Sequence, residues 1–165
     1  MESTVRTAPA PRRSLLAAVC FAAAVLATAL VGGLAAAGSA GVYTDLELPA
    51  WAPPAWLFSP VWIALYVLVA VAGWLVWRAA GTRGAASFLA VYAVQLVLNA
   101  AWTPLFFGAA LYGVALADIA LLTAAVAATL LLALRHSRAA ALLFAPYLAW
   151  VAFATALNAA IWAAN

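Results

Sequence analysis

One carboxylic acid, Asp118, lies well inside an apolar run that extends from about residue 110 to 134. A carboxylate in hydrocarbon costs at least roughly 2.5–3.5 kcal/mol, so it must face the interior of a helix bundle with a hydrogen-bonding partner, or stay protonated. Three uses fit such a group: the polar wall of a ligand site, a hydrogen bond that only fastens two helices, or the proton-coupling acid of a small exporter. A single acid without a basic partner supports the exporter least.

A second set of polar side chains has helical spacing in the preceding apolar run. Gln95, Asn99 and Trp102 are separated by steps of four and three residues, which places two amides and an indole on one face of a helix. Amides at membrane depth need hydrogen-bonding partners. Both hydrogen bonding between helices and the lining of a polar pocket explain this pattern.

The last apolar run carries a comparable face. Steps of three or four residues separate its members, which are Tyr147, Trp150, Ala154 and Asn158. We expect an aromatic floor followed by a small residue and an amide. Because Ala154 is small, the pattern predicts room for a ligand above Trp150.

The densest cluster of unusual residues is Leu48–Trp62, which holds four of the eight prolines and three of the eight tryptophans. Proline removes a backbone donor and fixes its own φ, so this segment is predicted to be a stiff, extended loop that caps the bundle. Trp51, held between prolines, is predicted to cover a site, and Trp56 to lie in the membrane interface. Trp62 and Tyr66 lie one turn apart and face the same way at the start of the next helix.

These side chains need membrane-spanning helices to position them. Hydrophobic residues make up 71% of the 165 residues and charged residues 7%, far from the roughly 45–50% and 25% of soluble domains. A span needs about 20 apolar residues. The sequence therefore predicts an all-α integral membrane protein, with a disordered tail at 1–14 and one five-helix transmembrane domain at 15–165. The predicted spans lie near 15–37, 58–78, 85–106, 110–134 and 139–163.

The first predicted span has two further features. Two arginines at positions 12 and 13 resemble a twin-arginine signal start, with a small-residue cleavage site near Ala35–Ala40. The apolar run is, however, longer than that of a signal peptide. Ala29, Gly33 and Ala37 recur at a spacing that permits close helix approach, within the bundle or between subunits.

The positive charges give an orientation. With five spans, all seven fall at one end of the bundle, namely Arg6, Arg12, Arg13, Arg78, Arg83, Arg135 and Arg138. The positive-inside rule makes that end cytoplasmic, with the N-terminus inside and the C-terminus and proline-rich loop outside. We expect the cytoplasmic membrane of a bacterium. The net charge of +3 therefore reflects topology and predicts no nucleic-acid surface.

In this topology the polar and aromatic faces converge beneath the proline-rich loop. The sequence predicts a pocket that opens outward and is lined by aromatic rings, a few amide donors and Asp118. Such a lining suits a flat, mostly apolar ligand held by stacking and by hydrogen bonds at its edge. A strongly anionic small substrate fits poorly, because no basic residue lies at that depth.

The same residues resemble the TspO/MBR family of tryptophan-rich sensory proteins, over roughly residues 15–163. The resemblance is carried by W-A-P-P-A-W and P-V-W within 51–62, N-x-x-W-x-P-x-F-F at 99–107, Asp118, and P-Y-L-A-W with A-T-x-L-N at 146–158. It implies a five-helix bundle, usually dimeric, that binds porphyrins, haem-like tetrapyrroles and hydrophobic drugs under its first loop. With the helix faces above, it implies a ligand site of Tyr43, Trp51, Trp62, Asn99, Trp102, Asp118, Tyr147, Trp150, Ala154 and Asn158.

Two kinds of function follow from this resemblance. The first is a receptor or sensor that binds a tetrapyrrole for regulation or transport, without turnover. The second is light-dependent breakdown of a bound porphyrin, with Trp62 and Trp150 as candidate catalytic residues. We expect neither a covalent cofactor nor a metal site. His136, the only histidine, lies in a loop at the opposite end, so stacking rather than histidine ligation would hold a tetrapyrrole.

Overall fold

The computed structural model describes residues 10–37 and 39–165 of the chain, and within them six α-helices. Their bounds are α1 Pro11–Ala35, α2 Ser39–Asp45, α3 Phe58–Gly84, α4 Ala86–Thr103, α5 Tyr112–Leu134 and α6 Arg138–Ala164. All except the short α2 are long and apolar enough to cross a membrane. The predicted all-α membrane bundle with five spans is therefore confirmed.

The five long helices form a closed ring. Helix α1 packs against α3, α3 against α6, α6 against α5, α5 against α4, and α4 against α1. The connections after α3, α4 and α5 are short, and Ser14 near the start of α1 contacts Trp74 in the second half of α3, so successive long helices run in opposite directions. The start of α1, the end of α3 and the α5–α6 connection therefore lie at one end of the bundle, and the proline-rich segment lies at the other.

Two helix ends differ from the predicted bounds. Helix α1 begins at Pro11, inside the predicted tail at 1–14, because proline at the first helical position has no amide hydrogen to leave unpaired. The predicted disorder at residues 1–9 lies outside the described residues. Helix α3 extends beyond residue 78 to a break at Gly81, whose φ of 66° favours glycine.

Helices α1 and α3 make a tight contact away from the proline-rich segment. A β-carbon added to Gly73 would lie 2.6 Å from a ring carbon of Phe21 and 3.1 Å from one of Tyr92. The indole N–H of Trp74 donates to the backbone oxygen of Ser14 at 3.1 Å. Glycine is therefore required at position 73 for this helix contact.

The segment between α2 and α3 is held at several points. Its path includes a turn in which the Ala52 N–H donates to the Pro49 oxygen at 2.9 Å, and a 3₁₀ turn at Ala55–Leu57 that leads into α3. The side chain of Asn165 pairs with the backbone of Glu47, accepting from its N–H at 3.0 Å and donating to its oxygen at 3.2 Å. The preceding helix α2 was not expected from the sequence.

Candidate functional site

A cavity of about 700 Å³ lies at the end of the bundle that carries the proline-rich segment. Helix α1 forms one wall, α3 another, and α2, the 3₁₀ turn and the end of α4 complete it. Its lining residues are Ala29, Gly32, Gly33, Ala36, Ser39, Tyr43, Ala55, Trp56, Phe58, Ser59, Trp62, Ile63, Tyr66, Trp102, Thr103 and Phe107. The lining contains hydroxyl groups but no charged side chain.

The α1 wall consists of small residues, which is why space remains beside it. A β-carbon on Gly32 would lie 3.4 Å from Oγ1 of Thr103, so a larger side chain there would enter the cavity. A β-carbon on Gly33 would meet nothing within 4 Å. The volume of the cavity therefore depends on the absence of side chains on this face of α1.

Aromatic rings form the opposite wall. The rings of Trp62 and Tyr66 lie 5.4 Å apart between centroids at an angle of 31°. Trp102 stacks on Phe106 at 5.2 Å and meets Phe107 edge-on. Such ring faces provide an apolar surface on which a flat ligand can stack.

A chain of hydrogen bonds behind the cavity fixes the Tyr66 ring. Its hydroxyl donates to Oδ1 of Asn99 at 2.9 Å, and Nδ2 of Asn99 donates to the Tyr147 hydroxyl at 2.9 Å. Tyr147 in turn donates to Oε1 of Gln95 at 2.9 Å. Helices α3, α4 and α6 are therefore joined by one buried network, of which only Tyr66 lines the cavity.

Trp102 is held in a similar way by the last helix. Its indole N–H donates to Oδ1 of Asn158 at 3.0 Å, and Nδ2 of Asn158 donates to the backbone oxygen of Tyr112 at 2.9 Å. Both polar side-chain atoms of Asn158 thus make hydrogen bonds to residues of α4 and α5. It positions a ring of the cavity without lining the cavity itself.

Tyr43 links the cavity to the proline-rich segment. Its hydroxyl donates to the Pro53 backbone oxygen at 3.0 Å, and its ring lies edge-on to Phe58 at 5.3 Å. Burial raises the pKa of the Tyr43 phenol above its usual value, so the hydroxyl stays protonated and keeps this donor. The segment is therefore anchored directly to the cavity wall.

The structure brings three of the predicted site residues onto this cavity, namely Tyr43, Trp62 and Trp102. The other seven predicted residues lie outside its lining. They are Trp51, Asn99, Asp118, Tyr147, Trp150, Ala154 and Asn158. The expected floor on the last helix is therefore not part of this cavity, which is displaced toward α1.

The physical reason differs among these seven residues. Asn99, Tyr147 and Asn158 satisfy one another or neighbouring helices by hydrogen bonds, as described above. Ala154 is buried in the packed core, and Trp150 packs against Phe58 and Phe153, so neither faces the cavity.

Two further expectations change. Asp118 was expected to need a partner, yet its Oδ2 is buried with no hydrogen bond to any described residue. Trp51 packs edge-on against Phe153 at 5.7 Å, away from the cavity, whereas Trp56 lines it. Trp56, and not Trp51, is therefore the loop tryptophan that lines this cavity.

Several lining residues were not identified as site residues from the sequence. Ala29 and Gly33 were identified from the sequence only as part of a small-residue pattern for helix contact, and not as the lining of a cavity. Tyr66 was predicted to lie one turn from Trp62, but no function was assigned to it. Ser59, Ile63 and Thr103 gave no signal, because an isolated hydroxyl or aliphatic residue is ordinary in a spanning helix.

Comparison with known proteins matches residues 18–163 to the TspO/MBR family. The translocator protein of Homo sapiens is 45% identical over 125 residues, which cover 74% of this chain and 74% of that protein. The tryptophan-rich protein TspO of Archaeoglobus fulgidus is 38% identical over 153 residues, covering 92% of this chain and 99% of that protein. The tryptophan-rich sensory protein of Cereibacter sphaeroides is 40% identical over 116 residues, covering 70% and 72%.

Proposed function

Because this chain belongs to the TspO/MBR family of membrane proteins, we propose that it is a receptor or sensor-type protein for a porphyrin or similar flat, hydrophobic tetrapyrrole. The ligand binds in the cavity between α1 and α3. It is bound for regulation or transport and is released unchanged.

The single observation that carries this proposal is the pairing of an aromatic wall with a wall of small residues. The cavity volume of about 700 Å³ lies within the roughly 300–1,000 Å³ of ordinary ligand pockets. Trp62 and Tyr66 contribute aromatic rings to the lining, and Gly32 and Gly33 contribute no side chain. Aromatic rings beside residues without side chains suit the stacking of a flat, apolar molecule.

The polar groups of the lining suit the edge of such a ligand. Ser59 and Thr103 bring hydroxyl groups to the cavity, and each hydroxyl both donates and accepts. No basic or acidic side chain lines the cavity. A neutral or weakly polar ligand edge therefore fits better than a buried charge, which would cost several kcal/mol without a partner.

The two alternatives receive unequal support. Light-dependent porphyrin breakdown would use Trp62, which lines the cavity, but Trp150, the other candidate, lies outside the lining. A proton-coupled exporter would use Asp118, which also lies outside it. The titration described below must therefore distinguish binding of a porphyrin from its breakdown. No residue of the cavity lining supports the exporter.

The setting of the protein is part of the same proposal. The chain resides in the cytoplasmic membrane of a bacterium as a homodimer, as the family resemblance implies. The described arginines lie at the end where Arg78 covers the Trp74 ring at 4.8 Å, so the positive-inside rule places the proline-rich segment outside. Cysteine at position 45 should then react from outside the cell, and cysteine at position 136 only after permeabilisation, both in a Cys20→Ser background.

An absorbance titration with protoporphyrin IX tests the binding proposal. Purified protein in lipid nanodiscs is titrated in darkness and then illuminated. Saturable binding in the dark with an unchanged spectrum after illumination supports a receptor. Protein-dependent bleaching would support breakdown instead, and a titration without saturation would reject the proposed ligand class.

A further inference from the structure

The cavity has an opening on the side of the bundle. The lining residues that are exposed are Gly33, Trp56, Ser59 and Ile63. Trp56 is 71% exposed and Ile63 66%. All four lie on α1, on α3 or on the turn that leads into α3. Part of the exposed edge of the cavity, at Gly33 and Ile63, therefore lies between two spanning helices.

The two helices that border this exposed edge also contact each other farther from the proline-rich end. Gly73 lets the two helices touch at Phe21, since a β-carbon at this position would lie only 2.6 Å from the Phe21 ring. At Gly33, in contrast, no side chain or neighbouring helix among the described residues comes within 4 Å of where a β-carbon would be. We call the exposed edge of the cavity between Gly33 and Ile63 the slot.

Several contacts hold the proline-rich segment in place at this end of the bundle. Tyr43 is 4% exposed and donates to the Pro53 oxygen at 3.0 Å. The Asn165 side chain makes two hydrogen bonds to the backbone of Glu47. A ligand that arrived beneath the proline-rich segment would meet these anchored residues, whereas Gly33 and Ile63 expose the edge of the cavity between the helices.

We infer that the ligand enters the cavity sideways from the bilayer, through the slot between α1 and α3. This inference rests on the proposed function and extends it to the class of ligand: an amphiphile that is already dissolved in the membrane, with a flat apolar body. The ligand concentration that governs binding is then its concentration in the lipid. Trp56 and Ile63 form the α3 edge of the slot, and Gly33 forms the α1 edge.

A thiol trap tests the route without using any porphyrin. Thr103 lines the cavity next to Gly32, so Thr103→Cys in a Cys20→Ser background places one thiol inside. Two probes are compared in nanodiscs: pyrene maleimide, which dissolves in lipid, and a disulfonated stilbene maleimide, which stays in water. Lateral access predicts that the lipid-soluble probe reacts at least about tenfold faster, relative to free cysteine in each case.

The slot is then blocked and compared with a matched control. Gly33→Leu fills the slot, and the bundle tolerates it because no atom lies within 4 Å of its β-carbon. Ala27→Leu adds the same side chain to an exposed position of α1 outside the cavity lining. Pyrene maleimide should label the trap about tenfold more slowly with Gly33→Leu, and at an unchanged rate with Ala27→Leu.

The opposite pattern would overturn the lateral route. Asn165→Ala releases the Glu47 contact, so a route over the proline-rich segment predicts faster labelling by the charged probe in this variant. It also predicts no effect of Gly33→Leu. Either result places the access route at the water-facing end.

A stopped-flow measurement with protoporphyrin IX separates this inference from the proposed function. If the ligand uses the slot, Gly33→Leu slows both association and dissociation, whereas Ala27→Leu changes neither rate. Absence of protoporphyrin binding with the predicted trap results would reject the proposed ligand and keep the route. If protoporphyrin IX binds and Gly33→Leu changes neither its association rate nor its dissociation rate, the route is rejected and the proposed ligand is kept.

Discussion

Phe21 of α1 lies so close to Gly73 of α3 that a β-carbon on the glycine would be 2.6 Å from the phenyl ring. This contact brings the two helices together at one level, and small residues of α1, among them Gly33, line the cavity at another. Both glycines lie in helices, yet they have opposite structural roles.

Gly73→Ala is therefore expected to lower the free energy of unfolding by about 1–3 kcal/mol, because the Phe21 ring must shift from its packed position. Gly33→Ala is the matched control and should leave stability unchanged or raise it by up to about 1 kcal/mol, since alanine favours helix. Thermal unfolding in one detergent compares them. Equal melting temperatures for the two variants would show that the close helix contact does not exist.

Tyr147→Phe tests the buried network behind the cavity. The change leaves Nδ2 of Asn99 and Oε1 of Gln95 without their shared partner, at an expected cost of about 1–2 kcal/mol. Tyr112→Phe is the control, because no hydrogen bond of its hydroxyl occurs among the described residues. The network has no energetic role if both variants melt at the same temperature.

Asp118→Leu should behave differently from a substitution in that network. Oδ2 of Asp118 is buried without a partner among the described residues, so removing the carboxyl removes a polar group that the membrane disfavours. We expect a melting temperature at or above that of the wild type and an unchanged Kd for protoporphyrin IX. Asp118→Asn serves as the comparison of equal size. Loss of binding in Asp118→Leu would instead assign this acid to the ligand site.

The two loop tryptophans are expected to differ in ligand release. Trp56 lines the cavity and Trp51 packs on Phe153, so Trp56→Ala should release protoporphyrin IX several times faster than Trp51→Ala. The dissociation rate is measured for both variants in the same nanodiscs. The reverse order would restore the covering role that the prolines around Trp51 suggested.

The architecture could be predicted from the sequence because the bilayer leaves few alternatives. An apolar run of about 20 residues between short connections must be a spanning helix. The short helix α2 was missed because seven residues are too few to show a helical periodicity of hydrophobic residues. The end of α3 was missed because the break depends on the φ of Gly81, which no hydrophobicity pattern reveals.

The site could be predicted only in part, for a different reason. Helical spacing shows which residues share a face, but not whether that face meets another helix or a cavity. Asn99, Tyr147 and Asn158 were placed on the correct faces, and those faces turned out to meet other helices. The α1 wall was overlooked because a cavity there is defined by missing side chains, and glycine and alanine carry no chemical signal.

The most direct test of the central claim is the Kd of protoporphyrin IX for Trp62→Ala compared with Trp162→Ala. Both changes remove an indole near the same end of the bundle, but only Trp62 lines the cavity, whereas Trp162 is an exposed residue of α6. Loss of a stacking ring costs roughly 0.5–1.5 kcal/mol beyond its buried area, so Trp62→Ala should raise the Kd about tenfold. Trp162→Ala should leave it unchanged. Equal Kd values for the two variants would contradict binding in this cavity.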